Sequence, residues 1–229
     1  MDADYLSVRE EELFDRWRGR RKPFISDGLV DPKKYVASNP KIVFVLKEVN
    51  DPGGKEEWDL RSFLRKGGRG RTWNNVVRWA LGMQNFTCRS WRQYKSISAA
   101  QRKEVLTSIG VINVKKTPGG ASSKSEEIKS IARNDSDLLE EQIELYKPNY
   151  LICCGRVGHL LPRFQKLDWC TTERGVDYCK LAENRFAVAY YHPQVRWPNH
   201  LLFFTLMDAI DELSAGGDGT QLMQEQAFD

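Results

Sequence analysis

Four short apolar runs constrain this chain more than any other feature. They are Ile42-Val43-Phe44-Val45-Leu46, Val111-Ile112-Asn113-Val114, Tyr150-Leu151-Ile152-Cys153-Cys154 and Phe186-Ala187-Val188-Ala189-Tyr190. Runs of this length, rich in branched residues and without polar alternation, read as strands covered on both faces. Each stops at a turn signal: Asn50-Asp51-Pro52-Gly53-Gly54, Thr117-Pro118-Gly119-Gly120, Gly155, and Tyr191-His192-Pro193. Helical spacing fills the intervals. Tyr5 to Arg20 places Leu6, Leu13, Phe14 and Trp17 on one side, and Ser125 to Tyr146 does the same with Ile128, Ile131, Leu138, Leu139, Ile143 and Leu145. Ser125 is the expected cap of that second helix and Pro148 its stop; a further helix is expected from Asn199 to Leu213.

Strands alternating with helices predict an α/β fold, a single doubly wound, mostly parallel four-stranded sheet flanked by helices. Ligands in such sheets bind at the carboxyl ends of the strands, so chemistry is expected in the loops after Leu46, Val114, Cys154 and Tyr190. With 229 residues, 41% of them hydrophobic, the chain has core enough for one domain, expected over 1–214. Residues 215–229, polar and acidic, are expected to be a disordered tail.

Several classes drop out. No run approaches the length of a membrane-spanning helix, and Asp2, Asp4, Glu10, Glu11 and Glu12 are unlike a signal peptide, so a soluble cytoplasmic protein without a membrane partner is expected. The five cysteines include no CxxC pair, which fits reduced thiols in a reducing compartment. There is no GxxxxGK[ST] or GxGxxG segment for nucleotide phosphates, no HExxH, and no GxSxG elbow. No metal or cofactor is expected.

The net charge of +4 is small, but its distribution is uneven. From Arg61 to Lys95 the chain carries Arg61, Arg65, Lys66, Arg69, Arg71, Arg78, Arg89, Arg92 and Lys95 without a single acid. Phe63, Trp73, Trp79, Phe86, Trp91 and Tyr94 are interleaved with them. Basic and aromatic residues together can hold phosphates and stack on bases, so a nucleic-acid face is expected; a monomer is the expected state. The ordinary alternative is a solvated charged surface over core tryptophans.

Three strand ends offer polar groups. Glu48, Asn50 and Asp51 follow the first strand, Asn113 lies near the end of the second, and His192 follows the fourth. Each alone has an ordinary explanation, because an Asp before Pro suits a turn, an Asn can bond backbone and a His before Pro can close a strand. Placed together at one sheet edge, they form a candidate pocket with two acids, two amides and an imidazole.

These residues resemble motifs of the uracil-DNA glycosylase superfamily over roughly 41–202. Lys47-Glu48-Val49-Asn50-Asp51-Pro52-Gly53-Gly54 is similar to the family's first motif, GQDPYH in the common branch and GEAPG in the iron–sulfur branch. Asn113-Val114-Lys115-Lys116-Thr117-Pro118-Gly119-Gly120 resembles the iron–sulfur branch's NVVKCRPPGN, and Tyr146-Lys147-Pro148 through Gly155-Arg156, Arg174-Gly175 and Tyr191-His192-Pro193 follow in the family's order. The cysteines do not fall at the cluster's spacing, so no iron–sulfur cofactor is carried over, and Gln194 stands where the family's last motif has serine.

The resemblance implies a DNA glycosylase that flips a pyrimidine and hydrolyses its N-glycosidic bond. Asp51, the favoured register, or Glu48 would orient water and offset the sugar's positive charge; His192 would donate to the departing base. Asn113 and Asn50 would read the base, Phe63 or Trp73 would stack on it, and Gly53 would leave space beside pyrimidine C5. That space implies uracil or a C5-modified pyrimidine, such as a modified cytosine of phage DNA, in repair or antiviral defence. Arg65, Lys66, Arg69, Arg71, Lys115, Lys116 and Arg156 would hold phosphates, with Arg196 and Trp197 beside Val195 entering the duplex. The expected enzyme is monofunctional and leaves an abasic site; Lys47, next to the first motif, offers an amine for the alternative of a bifunctional lyase. The alternatives are a catalytically silent DNA or modified-base binding protein of the same fold, and a nucleotide-binding α/β domain unrelated to repair.

Overall fold

The computed structural model describes residues 2–85, 90–120, 122–155 and 157–216. Phe86, Arg89, Arg156 and the tail from 217 onward, all named above, lie outside the described residues. Helix α1 (Ala3–Arg20) starts at Asp2, whose carboxylate accepts the Tyr5 amide at 2.8 Å. Two short strands, β1 (Ile25–Ser26) and β2 (Gly28–Leu29), lead to α2 (Pro32–Ala37) and then to the fully buried β3 (Ile42–Leu46). The excursion that follows holds β4 (Val49–Asn50), β5 (Trp58–Asp59), α3 (Leu60–Arg65), α4 (Arg71–Gln84), α5 (Trp91–Lys95) and α6 (Ala99–Thr107). It returns as β6 (Gly110–Asn113).

Beyond β7 (Pro118–Gly119) come α7 (Ser125–Asn134) and α8 (Ser136–Tyr146), then β8 (Tyr150–Cys154). The long helix expected over Ser125–Tyr146 is therefore two. Asp135 breaks it, drawn inward by two bonds from Arg21 at 2.9 and 3.0 Å. Lys124, not Ser125, occupies the N-cap position. Lys147 ends α8 in the left-handed region, at φ 45°. The chain closes with β9 (Cys170–Thr171), β10 (Asp177–Ala182), β11 (Arg185–Tyr190) and α9 (Asn199–Ser214).

The main sheet has seven strands in the order β2-β6-β3-β8-β11-β10-β9. Its four central strands are the four apolar runs, and they are parallel: Leu46 faces Asn113, Val45 faces Cys153, and Cys154 faces Tyr190. The outer strands β2, β10 and β9 pair antiparallel. The sheet is thus mixed and seven-stranded, which corrects the four-stranded mostly parallel expectation. The connection from β8 to β11 carries β9 and β10, which the sequence pattern does not mark.

Alternate residues of the central strands feed two cores. Phe44, Leu46, Val111 and Ile152 pack with α3, α4, α6 and α9, whereas Val43, Val45, Ile112 and Leu151 pack with α1, α2, α7 and α8. Helices cover both faces, which is why strand interiors can be apolar throughout. Strand order reverses across β3, the first parallel strand, and the crevice at the carboxyl ends of β6, β3 and β8 opens there. Among the described residues no helix is long and apolar enough to cross a membrane.

Candidate active site at the strand carboxyl ends

A cavity of about 600 Å³ opens at that crevice. Leu46 to Asn50, Asn113, Gly155, His192 and Gln194 line its sheet side, and Phe63, Arg69 to Trp73 and Trp58 line the side facing it. Three of the sequence-derived chemical groups, Glu48, Asn113 and His192, therefore share one space. Asn50, Phe63, Arg69 and Arg71 share it too.

The two acids of the first loop separate. β4 and β7 pair in parallel, with Val49 opposite Pro118 and Asn50 opposite Gly119, and the Asp51 amide donates to Gly119 O at 3.0 Å. Extended chain alternates its side chains with a period of two, so Glu48 and Asp51 leave on opposite sides. Glu48 turns inward. Its side chain is only 5% exposed, and its carboxylate meets Lys115 Nζ at 3.1 Å. The carboxylate also fills the space over Gly119, where an added Cβ would lie 2.3 Å from Glu48 Cδ. Asp51 instead accepts from Trp58 Nε1 at 3.0 Å and closes the turn onto Gly54, in a shallow depression outside the cavity lining. Asp51, the favoured register, therefore lies outside the cavity lining, whereas Glu48 belongs to it. Gly53, at φ 79°, sits in that same depression and does not line the cavity.

Asn113 has no partner for its side chain. It is 1% exposed, and both Nδ2 and Oδ1 are buried without a hydrogen bond, although the residue lines the cavity. Its backbone is held firmly, the amide donating to Asp27 Oδ2 at 2.6 Å. A buried amide left without bonds costs about 1–3 kcal/mol, and this one stands at the cavity wall.

His192 is oriented by its own loop. The Gln194 amide donates to Nδ1 at 3.2 Å, which makes Nδ1 the acceptor and leaves Nε2–H as the ring's donor. Burial, followed by the charge of Lys47, holds the imidazole below its ordinary value of 6.5 and keeps it neutral at pH 7. The loop is anchored from α4: Asn75 Nδ2 donates to Pro193 O at 2.7 Å.

The opposite wall is glycine-rich and basic. Gly67, Gly68 and Gly70 all have positive φ, and Gly70 starts α4 without a side-chain cap, so the first-turn amides that line the cavity suit an anion. Arg102 fixes this loop through Gly68 O at 2.8 Å and Asn74 Oδ1 at 2.8 Å. Arg71 Nη2 reaches Trp197 O at 3.4 Å. Phe63 meets Trp73 edge-on with ring centroids 6.4 Å apart, so both aromatics named as stacking candidates sit at this wall.

The remaining basic and aromatic residues divide. Lys66, Arg69, Arg71, Arg196 and Trp197 are exposed, Trp197 lying over Tyr191 with centroids 5.2 Å apart. Arg65 is exposed but bonds Val30 O at 2.7 Å. Lys115 is held by Glu48 and by Glu127 at 2.7 Å; burial works against its charge, but these bonds outweigh it and raise its pKa. Lys116 is corrected outright: it is fully buried, bonded to both Asp27 oxygens at 2.7 Å and to Gln142 at 2.9 Å, and cannot touch a phosphate. Arg61, Trp79 and Tyr94 from the basic stretch also belong to the interior, Arg61 through ion pairs with Glu10, Glu11 and Asp59.

Arg102 and Asn75 support the site without having been singled out beforehand. Each acts through a partner far along the chain, and no local pattern marks it. Among the described residues no cluster of three or more His, Cys, Asp or Glu side chains could hold a metal ion. Compared with known proteins, the chain matches no family model and no curated sequence.

Proposed function

We propose that the protein is a DNA glycosylase that takes a flipped pyrimidine, uracil or a C5-modified relative, into this cavity and hydrolyses its N-glycosidic bond. The observation that carries this reading is the unsatisfied Asn113 amide beside Glu48 and His192 in one cavity. A pyrimidine edge presents the donor and acceptor that Nδ2 and Oδ1 lack.

Bond cleavage develops positive charge on the sugar and negative charge on the departing base. Glu48 offsets the first and orients the attacking water; the neutral His192 donates from Nε2 to the second. Phe63 and Trp73 supply the stacking face. The uncapped turn of α4 with Arg69 and Arg71 holds flanking phosphates. Room for a C5 substituent rests on cavity size, because about 600 Å³ lies in the range that accepts drug-sized ligands and exceeds one pyrimidine ring.

A second reading, a silent DNA or modified-base binder, draws on the Lys115 ammonium that already engages Glu48. Detection of free base separates the two. Duplexes and single strands carrying uracil, thymine, 5-hydroxymethylcytosine or glucosylated cytosine are incubated with the protein, and released base and alkali-labile sites are measured. Release from one substrate class supports the glycosylase; tight binding of all of them without release supports the binder.

A further inference from the structure

Lys47 follows β3 directly and is the one lysine among the described residues that lines the cavity. Its neighbours in the fold are already engaged, Lys115 by Glu48 and Glu127 and Lys116 by Asp27. No carboxylate among the described residues pairs with Lys47. Gly155, just after β8, lies against both side chains: a Cβ built there would be 3.4 Å from His192 Cβ and 3.9 Å from Lys47 Cε. Backbone pairing fixes the base of the side chain, since Lys47 O accepts the Lys115 amide at 2.9 Å. An unpaired amine on a flexible stem, in a cavity holding an imidazole and a carboxylate, has the chemistry of a Schiff-base lysine.

We propose that Lys47 attacks the sugar exposed by base removal, so that excision is followed by scission of the strand. This rests on the glycosylase reading of the same cavity. Once the Lys47 ammonium has given a proton to water, the amine adds its lone pair to C1′ of the ring-opened aldehyde, and the two remaining amine protons leave with the aldehyde oxygen as water. The resulting imine takes up a proton from solvent. Loss of the C2′ proton to water forms the C2′–C3′ double bond, and the C3′–O bond breaks with its electron pair leaving on the 3′ phosphate. Water then hydrolyses the iminium at C1′, which frees Lys47 and leaves an unsaturated aldehyde on the strand end.

A duplex with a preformed abasic site tests this step apart from excision. The full chain is mixed with that duplex in borohydride, the covalent product is digested and its peptides are mapped by mass spectrometry; binding of the abasic duplex is measured in parallel. The expected result is a reduced-sugar adduct on Lys47 that disappears in Lys47→Arg while the variant still binds the duplex. An adduct on another amine, or none from wild-type protein, overturns the proposal. Base release from intact substrates without any adduct would overturn the lyase step and keep the glycosylase; an adduct without base release from any substrate would overturn the glycosylase and keep the amine chemistry.

Discussion

Lys115 and Lys116 are adjacent in the chain and belong to two different polar regions. Lys116 points into an inner cluster under the sheet, where Glu10, Asp27, Gln142 and Tyr146 bond to it or to one another at 2.5 to 3.0 Å. Burial pushes the Lys116 amine down, Asp27 opposes that, and the cluster joins α1, β2 and α8. Lys115 points to the outer region at the strand ends, beside Glu48 and near an Asn113 whose amide bonds nothing. The inner cluster is satisfied and closed; the outer one is incomplete and opens on a cavity. Similar residue types close a packed interior in one place and line a cavity in the other. The two regions meet at Asn113, whose backbone is held by Asp27 while its side chain is left free.

Substitutions should therefore divide by region. Lys116→Met leaves Asp27 charged and unpaired in the interior, and removing one partner of such a pair costs about 3–5 kcal/mol. Chemical denaturation should show that loss; a change within experimental error would mean that the inner cluster is not the structural half. In the outer region, His192→Gln should slow single-turnover excision by about 10²–10³, the scale of one lost oxyanion donor. Its pH profile sharpens the point. Because the folded pKa is lowered from 6.5, the neutral donor persists as pH falls through 6.5, and activity declines only below it, when Nδ1 protonates and can no longer accept the Gln194 amide. A decline centred above 6.5 would break that assignment.

Asn113→Ala is the subtler test, since it removes two buried atoms that bond nothing. Its melting temperature should hold or rise while excision falls about 10–100-fold, as expected when a binding amide contributes to the ligand complex and not to the fold. Destabilisation would return Asn113 to the structural side. The smallest effect is expected of Arg69→Gln: a few-fold weaker DNA binding at all sequences, with the slope of log affinity against log salt reduced by about 1. An unchanged slope would remove Arg69 from the phosphate contacts.

Much of this arrangement can be read from the chain, for definite reasons. Ile42–Leu46 and Tyr150–Cys154 are visible because burial on both faces leaves no polar residue in them. β2 and β9 are two residues each, and β10 buries only Tyr178 and Cys179 among half-buried and exposed residues, so neither length nor hydrophobicity marks them. Glu48, Asn113 and His192 are findable because parallel strands bring their carboxyl ends to one edge. Which acid faces the cavity is not, since that depends on β4 pairing with β7 across nearly seventy residues. The fate of Lys116 is hidden likewise, because its partners Asp27 and Gln142 sit on other elements.

The most direct test compares the two acids of the first loop on whichever substrate the protein cleaves best. Single-turnover excision by Glu48→Gln and Asp51→Asn is measured side by side, with DNA binding checked for both. Glu48→Gln is predicted to lose about 10³-fold, within the 10²–10⁴ range of a positioned carboxylate, and Asp51→Asn to stay within about tenfold of wild type. The opposite ranking would contradict the account, because it would put the chemistry on the turn outside the cavity.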